Sequence, residues 1–244
     1  MHGRVFIPTR GRRHRQVTIQ SLDIQHGDVT MVVPFCEAHL WTGWDVLQVS
    51  DDHRNGDICQ DIMEGYPDLD YHLVLDDDLR WLAWNGGPVT TKMLVRDVER
   101  FFEDDSTITL VGFAHDHYAR SRLALDTWVV NGPVHRAIAY RPKPYLDMGF
   151  KYGEFMLCED KHMILATRLR GWKIARSHSY GHVDGYKPTM KPEDGGIATY
   201  RTPEVVQADR EKLKRMYPDY VTIDIHGKAK INWRKLNRAT LYPH

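Results

Sequence analysis

Tyr71-His72-Leu73-Val74-Leu75-Asp76-Asp77-Asp78-Leu79 is a short apolar run that leads directly into three carboxylates. The continuous apolar residues Leu73 to Leu75 are typical of a strand that is buried on both faces. Asp76 and Asp78 follow where such a strand would leave its sheet, and residues two apart in an extended chain point the same way. The stretch therefore predicts a buried central strand with two carboxylates on one side of its exit.

Two neighbouring carboxylates repel each other unless a cation lies between them. Hard oxygen ligands suit Mg²⁺ or Mn²⁺, and these ions in turn suit the oxygens of a diphosphate. The functional interpretation of Asp76 and Asp78 is therefore an Asp-x-Asp site for a metal and a nucleotide sugar. A solvated acidic turn is the alternative, because Asp is common in turns.

Composition indicates an ordinary folded protein of 244 residues, with 27% charged and 42% hydrophobic residues. Lys and Arg number 33, as do Asp and Glu, so the formal net charge of +0 does not indicate a polyanion partner. No apolar run approaches the roughly 18 residues of a membrane span, and the N-terminus lacks an apolar signal core. The three cysteines, Cys36, Cys59 and Cys158, are widely spaced and form no Cys-x-x-Cys. This usage predicts a reducing, cytoplasmic location without membrane contact.

The first half of the chain alternates strand and helix patterns. Strands are predicted at 4–8, 29–34, 44–49, 71–75 and 107–113, and helices at 15–25, 57–64 and 91–102. This order predicts an α/β fold with a mostly parallel central sheet flanked by helices. Farther along, strands are predicted at 125–130 and 134–140 around the turn Asn131-Gly132-Pro133, then at 173–177, with helices at 158–170 and 204–216.

No linker divides the chain. Residues 181–203 hold four Gly, three Pro and few large apolar groups, a composition that suits a mobile loop. We therefore expect one domain over residues 1–203, including a mobile loop at about 183–203. Residues 204–244 would add a C-terminal helix and a basic tail packed on the same domain.

The order of polar motifs along the chain is informative, because an open parallel sheet binds ligands at the carboxyl ends of its strands. The acids of residues 76–78 lie at one such end. Glu159-Asp160 opens a later helix, and His182 follows the next predicted strand. An acid pair, a Glu-Asp helix start and a later histidine in this order resemble the GT-A glycosyltransferases, which have a Rossmann-like fold. The resemblance covers roughly residues 4–185.

Three segments carry the resemblance. Gly153 followed by Glu159-Asp160 and by Arg170-Gly171-Trp172-Lys173-Ile174 resembles the Glu-Asp segment of inverting GT-A enzymes. Ser179-Tyr180-Gly181-His182-Val183 is similar to the Gly-His-Val segment of polypeptide N-acetylgalactosaminyltransferases. Val5-Phe6-Ile7-Pro8-Thr9-Arg10-Gly11-Arg12, together with the Asp76–Asp78 segment, resembles the phage-type TET-associated glycosyltransferases, which are thought to put sugars on 5-hydroxymethylcytosine in DNA.

The resemblance implies a role for each matching residue. Asp76, Asp78 and His182 would bind the metal, with His178 as a competitor for the histidine position; an imidazole ligand favours Mn²⁺ over Mg²⁺. Asp160 would be the general base of an inverting hexosyl- or pentosyltransferase, and Glu159 would hold a hydroxyl group. A UDP-sugar donor would contact residues at three strand ends: Pro8, Thr9, Arg10, Arg12, Asp52, Asp76 and Asp77.

Simpler interpretations remain open for several of these residues. Acids are favoured in the first turn of any helix, which would explain Glu159 and Asp160. Asp52 fits an ordinary turn, and a retaining enzyme would need no base at Asp160. For His182, the alternative to a metal ligand is an ordinary histidine in a surface loop.

The acceptor is the least constrained feature. One basic cluster is Arg10, Arg12, Arg13 and Arg15, and another is the segment Lys228–Arg238, which contains Trp233. Basic residues interleaved with an aromatic ring fit DNA backbone contact plus stacking, although a solvated tail is the common cause. Phage DNA in a host cytoplasm is thus one expected acceptor. The alternatives are a glycan, a protein or a small molecule, or an inactive GT-A-like module that only binds DNA or protein.

Overall fold

The computed structural model describes residues 1–115, 119–120, 123–125, 128–185 and 195–241. The strands within these ranges are β1 Gly3–Pro8, β2 Thr30–Pro34, β3 Asp45–Val49, β4 Tyr71–Leu75, β5 Leu79–Ala83, β6 Ile108–His115, β7 Trp128–Val130, β8 Ala137–Tyr140, β9 Lys173–Asp184, β10 Val221–Ile223 and β11 Ala229–Ile231. The helices are α1 Val17–Ser21, α2 Asn55–Gly65, α3 Thr91–Asp104, α4 Pro142–Asp147, α5 Glu159–Leu169, α6 Pro203–Met216 and α7 Trp233–Leu241. Short 3₁₀ turns cover Phe35–Trp41, Tyr152–Glu154 and Gly196–Thr199.

A central sheet has the strand order β3-β2-β1-β4-β8-β6-β9-β5, and β7 also pairs with β9. Strands β3, β2, β1 and β4 are parallel neighbours. β8 lies antiparallel between β4 and β6, whereas β6 and β9 run parallel. The predicted α/β class with a mostly parallel sheet is confirmed.

The register of β4 and β8 decides what stands beside the three carboxylates. Leu75, the last residue of β4, is paired with Ala137, the first residue of β8. Because the two strands are antiparallel, the residue before β8 meets the residue after β4, and the Asp76 N–H donates to the Arg136 carbonyl at 2.8 Å. The fold thereby brings Arg136 to the acidic exit of β4.

Apolar side chains cover both faces of the sheet, as the continuous apolar strands predict. One large cluster includes Leu73, Leu75 and the α3 residues Leu94 and Val98. α3 buries Leu94 and Val98 on one face and is capped at its start by Thr90, whose side chain accepts a hydrogen bond from the Met93 N–H. Within the described residues, no helix has both the length and the apolar character needed to cross a membrane.

One prediction about the second half of the sheet was wrong in detail. The two strands predicted around Asn131-Gly132-Pro133 exist as β7 and β8; β7 pairs with β9, and β8 pairs with β4 and β6. The strand predicted at 173–177 continues to Asp184. Its second half is polar and has low intrinsic strand propensity, but β5 and β6 pair with its two edges and hold it in the sheet.

This extension shortens the loop predicted at about 183–203. Val183 and Asp184 are strand residues, and Gly196–Thr199 form a helical turn. The middle of the predicted loop, residues 186–194, lies outside the described residues. His182, which we expected after a strand, is therefore inside β9.

The C-terminal elements pack on α5 and the segment before it. Leu213 of α6, Val221 of β10 and Leu236 of α7 form a buried cluster with Phe155 and Leu165. The buried carboxylate of Asp209, on α6, accepts hydrogen bonds from three consecutive N–H groups, those of Met156, Leu157 and Cys158, at 3.0, 2.6 and 3.0 Å. One side chain of the C-terminal region thus fixes the backbone that leads into α5.

Asp209→Ala is expected to lower the free energy of unfolding by roughly 2–4 kcal/mol, because three N–H groups lose their acceptor in a buried setting. Chemical denaturation followed by circular dichroism measures this loss. Glu211→Ala is the matched control, since Glu211 lies exposed on the same helix and should cost less than about 0.5 kcal/mol. Equal losses in the two variants would contradict the role assigned to Asp209.

Candidate functional site

A cavity of about 460 Å³ opens at the carboxyl ends of β1 and β4. Its floor is formed by the end of β1, the exit of β4, the residue before β8 and the start of α5. The turn Gly196–Thr199 with Tyr200 and Arg201 forms another wall, and the Tyr200 hydroxyl accepts a hydrogen bond from the Asn55 N–H at 3.1 Å. The cavity therefore joins the two acidic motifs that lie 80 residues apart in the sequence.

Asp76 and Asp78 face the same guanidinium group. Arg136 donates from Nε to Asp76 Oδ2 at 2.9 Å and from Nη2 to Asp78 Oδ1 at 2.5 Å. Its third nitrogen, Nη1, donates to Asp184 Oδ1 at the end of β9. Asp77 and Asp78 lie in the tight turn between β4 and β5, and this turn leaves Asp76 and Asp78 on one side, where a third carboxylate from another strand joins them.

Asp77 points to a different partner set. It is 3% exposed and accepts hydrogen bonds from Thr9 Oγ1 and from Arg12 Nη1, both at 2.6 Å. Burial raises the pKa of Asp77 to about 6, although the positive charge of Arg12 opposes this rise. Arg12 also lies 3.3 Å from Asp78 Oδ2, so its guanidinium ties the segment after β1 to the exit of β4.

Glu159 and Asp160 begin α5 on the opposite side of the cavity. Glu159 is 7% exposed. Its Oε1 accepts a hydrogen bond from Asn55 Nδ2 at 2.5 Å, and its Oε2 has no hydrogen-bond partner in the part of the chain that the structure describes. Burial, reinforced by the neighbouring Asp160 charge, raises the pKa of Glu159 to about 8. Burial and the charge of Asp76 raise the pKa of Asp160 to about 7, against a hydrogen bond from the Arg136 backbone. Both acids can therefore carry a proton near neutral pH.

Asn55 reaches Glu159 because α2 lies close against the Tyr152–Glu154 turn. A Cβ at position 56 would overlap the Phe155 carbonyl oxygen, so only glycine permits this approach. Gly56 thus lets the start of α2 meet the start of α5.

His182 does not line this cavity. It is fully buried in β9, where it is paired with Trp81 and its ring contacts those of Trp81 and His115 at centroid distances of 5.3 and 4.9 Å. Among the described residues, neither ring nitrogen has a hydrogen-bond partner, and burial lowers the pKa of the imidazole well below its ordinary value. The competitor His178 is also buried, with its Nε2 3.3 Å from Arg176 Nε. Metal ligation by His182 stays a prediction.

No three His, Cys, Asp or Glu side chains in the described ranges are arranged to hold a metal ion as they stand. Three carboxylates, those of Asp76, Asp78 and Asp184, nevertheless converge on one cationic group. Such an oxygen donor set suits Mg²⁺ or Mn²⁺, and the Arg136 guanidinium stands where a cation would lie. The residues fit a divalent ion on the condition that Arg136 leaves them.

Of the other residues predicted to contact the donor, some line the cavity and one is not in its described lining. Pro8, Thr9 and Arg10 line the cavity at the end of β1, and Arg10 donates to the His53 carbonyl at 2.7 Å. Asp52 lies in an exposed turn, accepts a hydrogen bond from Ser50 Oγ and is not among the described residues that line the cavity. Donor contacts for all of these residues stay predictions.

Four residues of this site were not predicted from the sequence: Arg136, Asp184, Asn55 and Tyr200. Asp184 had a usable signal, because it follows Gly181-His182-Val183 by one residue. Arg136 had none, since its place depends on β8 pairing with β4 and on a left-handed backbone with φ of 67°.

Several side chains of the two predicted basic clusters are already engaged in contacts within the protein. Arg12 is buried in its ion pairs, and Arg13 donates to the Leu40 carbonyl and lies over the Trp41 ring. In the C-terminal segment, Lys230 pairs with Asp224 and Lys235 with Asp219, and Trp233 packs against the apolar core.

Comparison with solved structures assigns the fold to the GT-A glycosyltransferases. The mannosyltransferase PcManGT from Pyrobaculum calidifontis, in complex with GDP-Man and Mn²⁺, matches with a TM-score of 0.58 and 12% identity over 99% of this chain and 70% of that chain. S. aureus TarS in complex with UDP-GlcNAc matches with a TM-score of 0.54 and 12% identity over 88% and 67%. GalNAc-T7 with UDP, GalNAc and Mn²⁺ matches with a TM-score of 0.57 and 8% identity over 78% and 44%.

The chain spans about two thirds of the length of the TarS structures that it matches. No family model matches the chain, and no curated protein sequence matches it. At these identities, the likeness establishes the GT-A fold.

Glu159→Gln is expected to flatten the dependence of stability on pH. Between 4.5 and about 8, the ordinary and folded-state pKa values of Glu159, the folded protein binds more protons than the unfolded chain, so stability falls as pH rises. A neutral glutamine removes this contribution and should reduce the loss of unfolding free energy across this range by up to about 5 kcal/mol. Denaturant titrations across this range measure it, with Glu211→Gln as the exposed control. An unchanged slope would mean that Glu159 is ionised in the folded protein.

Proposed function

We propose that this protein transfers a sugar from a nucleotide-sugar donor to an acceptor hydroxyl. The observation that carries the proposal is the meeting of the Asp76–Asp78 and Glu159–Asp160 acids in one cavity at the carboxyl ends of β1 and β4. This is the edge at which open α/β sheets bind ligands, and the fold is that of GT-A glycosyltransferases. Complexes of structural neighbours with UDP or GDP sugars and Mn²⁺ support the choice of donor and ion.

The donor end of the cavity is assigned to β1 and β4. Thr9 and Arg10 would meet the nucleotide, with the Arg10 guanidinium suited to a diphosphate by its planar fork of donors. Asp76 and Asp78 would hold the divalent ion, with Mn²⁺ preferred and His182 kept as the predicted further ligand. When bound, the ion neutralises the negative charge that develops on the departing nucleoside diphosphate.

The acceptor end is assigned to the start of α5. Asp160 would take the proton of the acceptor hydroxyl, and its pKa of about 7 suits a general base near neutrality. Glu159, held by Asn55, would keep a neighbouring hydroxyl in place through its free Oε2. A base at this position supports an inverting transfer.

For the acceptor, 5-hydroxymethylcytosine in DNA remains the specific proposal, carried by the resemblance of the Val5–Arg12 and Asp76–Asp78 segments. The ion pairs of Arg12, Lys230 and Lys235 reduce the basic surface that could contact DNA. A glycan, protein or small-molecule hydroxyl is the alternative, and an inactive binding module is the other class to test.

Asp78→Asn and Asp160→Asn should distinguish the role of the donor end of the cavity from that of the acceptor end. Thermal shift with UDP-sugars and GDP-sugars, each with and without Mn²⁺, should give a metal-dependent stabilisation that Asp78→Asn abolishes. Asp160→Asn should keep this stabilisation but lose at least about 100-fold in transfer rate, as expected for a missing general base. Asp45→Asn, in an exposed ion pair with Arg4, is the matched control.

Transfer would be assayed with hydroxymethylated and unmodified DNA duplexes and with a panel of glycans. Transfer only to hydroxymethylated DNA would support that acceptor, and transfer only to glycans would replace it. Stabilisation by no nucleotide sugar, together with no donor turnover, would contradict the transferase proposal and favour the binding module.

A further inference from the structure

The guanidinium of Arg136 forms a three-way ion pair at the acidic edge of the cavity. Its Nε, Nη2 and Nη1 atoms each donate to a different carboxylate, those of Asp76, Asp78 and Asp184. The three acids come from two separate strand ends, β4 and β9, and Arg136 precedes a third strand, β8. One side chain therefore satisfies three carboxylates that share a small volume.

The backbone of Arg136 is built for this position. Its φ of 67° is left-handed, which costs a non-glycine residue about 1 kcal/mol and persists only where the surroundings enforce it. Here the Arg136 carbonyl accepts the Asp76 N–H at 2.8 Å, and the backbone of Arg136 also bonds to Asp160. The strained residue is thus anchored between the two acidic motifs.

Charge compensation depends on Arg136. Within the described residues, Arg136 is the ion-pair partner of Asp76, while Asp78 is shared with Arg12 and Asp184 lies 3.8 Å from His115 Nε2. Removing the guanidinium would leave Asp76 and Asp184 without a guanidinium partner beside a third acid. Such carboxylates repel each other and gain strongly from any cation that enters.

We propose that Arg136 is a resident cation of this site that competes with a divalent metal ion for Asp76, Asp78 and Asp184. A guanidinium has no lone pair for a metal, so an ion bound by these carboxylates must displace Arg136 from them. Its side chain is 23% exposed, and the adjoining cavity offers room for the displaced group. Arg136 thereby weakens metal binding and keeps the metal-free site folded.

The inference adds a third carboxylate, Asp184, and a competing cation to the metal site of the proposed function, on which it rests. Measuring metal binding without any nucleotide sugar tests the inference about Arg136 separately from the proposed transferase activity. If nucleotide sugars fail to bind but Arg136 still competes with Mn²⁺, the transferase proposal fails and this inference stands.

Arg136→Gln tests the competition directly. Free Mn²⁺, followed by electron paramagnetic resonance during titration of the whole protein, gives the dissociation constant. We expect Arg136→Gln to bind Mn²⁺ about tenfold or more tightly than the parent, since charge-assisted hydrogen bonds no longer have to be broken. Its metal-free melting temperature should be lower than that of the parent, and Mn²⁺ should restore it. Arg4→Gln removes an arginine from the exposed ion pair with Asp45 and should change neither quantity.

Adding Asp184→Asn to Arg136→Gln should weaken Mn²⁺ binding again, because one of the three carboxylates is lost. Equal Mn²⁺ affinity of the parent and Arg136→Gln, or weaker affinity of Arg136→Gln, would overturn the inference. If the double variant binds Mn²⁺ as tightly as Arg136→Gln, Asp184 is not one of the carboxylates that bind the ion, and that part of the inference is wrong.

A measurement on the parent protein covers the case in which Arg136→Gln does not fold. The Nε–H resonance of Arg136, assigned by its loss in Arg136→Lys, is followed by ¹⁵N NMR during titration with Mg²⁺. Displacement predicts that this resonance moves and saturates with the metal. A resonance that stays unchanged while Mg²⁺ binds would show that the ion does not displace Arg136, and the inference would be wrong.

Discussion

Charge compensation at the exit of β4 is the constraint on which this site depends. Three consecutive carboxylates follow a buried strand. Asp77 and Asp78 are themselves buried, where the low dielectric makes an unpaired charge expensive, and the Asp76 side chain is 40% exposed. Two arginines form ion pairs with these carboxylates. Arg12 lies in the segment after β1, and Arg136 is the residue before β8. Both ion pairs join elements that are distant in sequence, so the same contacts that neutralise the acids also fix the strand ends around the cavity.

The acids at the start of α5 have neutral hydrogen-bond donors as partners. Glu159 and Asp160 receive an amide and a backbone N–H in place of a guanidinium, and burial raises the pKa of each. The cavity thus has an end where carboxylates are paired with cations and an end where carboxylates can hold a proton. The Asp209 carboxylate on α6 supports the second end by holding the backbone that leads into α5.

Prediction from sequence succeeded where the pattern was local. The apolar run before Asp76 predicted the buried strand β4. Asp76 and Asp78 were also correctly expected on one side, although a turn through Asp77 and Asp78, and not an extended chain, places them there. Prediction was wrong for the second half of β9, because polar residues and Gly181 dominate the segment from His178 to His182, which is held in the sheet by pairing with β5 and β6. Asp52 was expected near the donor from its place after a strand; it lies in an exposed turn, is not among the described residues that line the cavity, and its donor contact stays a prediction.

The sequence by itself determined the α/β class, the buried strand before the carboxylates and the two acidic motifs, because each is written in neighbouring residues. Only the tertiary structure decided what those motifs meet. Asp77 finds Arg12, Glu159 finds Asn55, and Arg136 gathers Asp76, Asp78 and Asp184, each through contacts between residues far apart in the chain. Strand pairing fixes these meetings, since the register of β8 beside β4 sets which side chain stands opposite the acids. A sequence pattern records the period of a strand but not its partner, and here the partner supplies the charge.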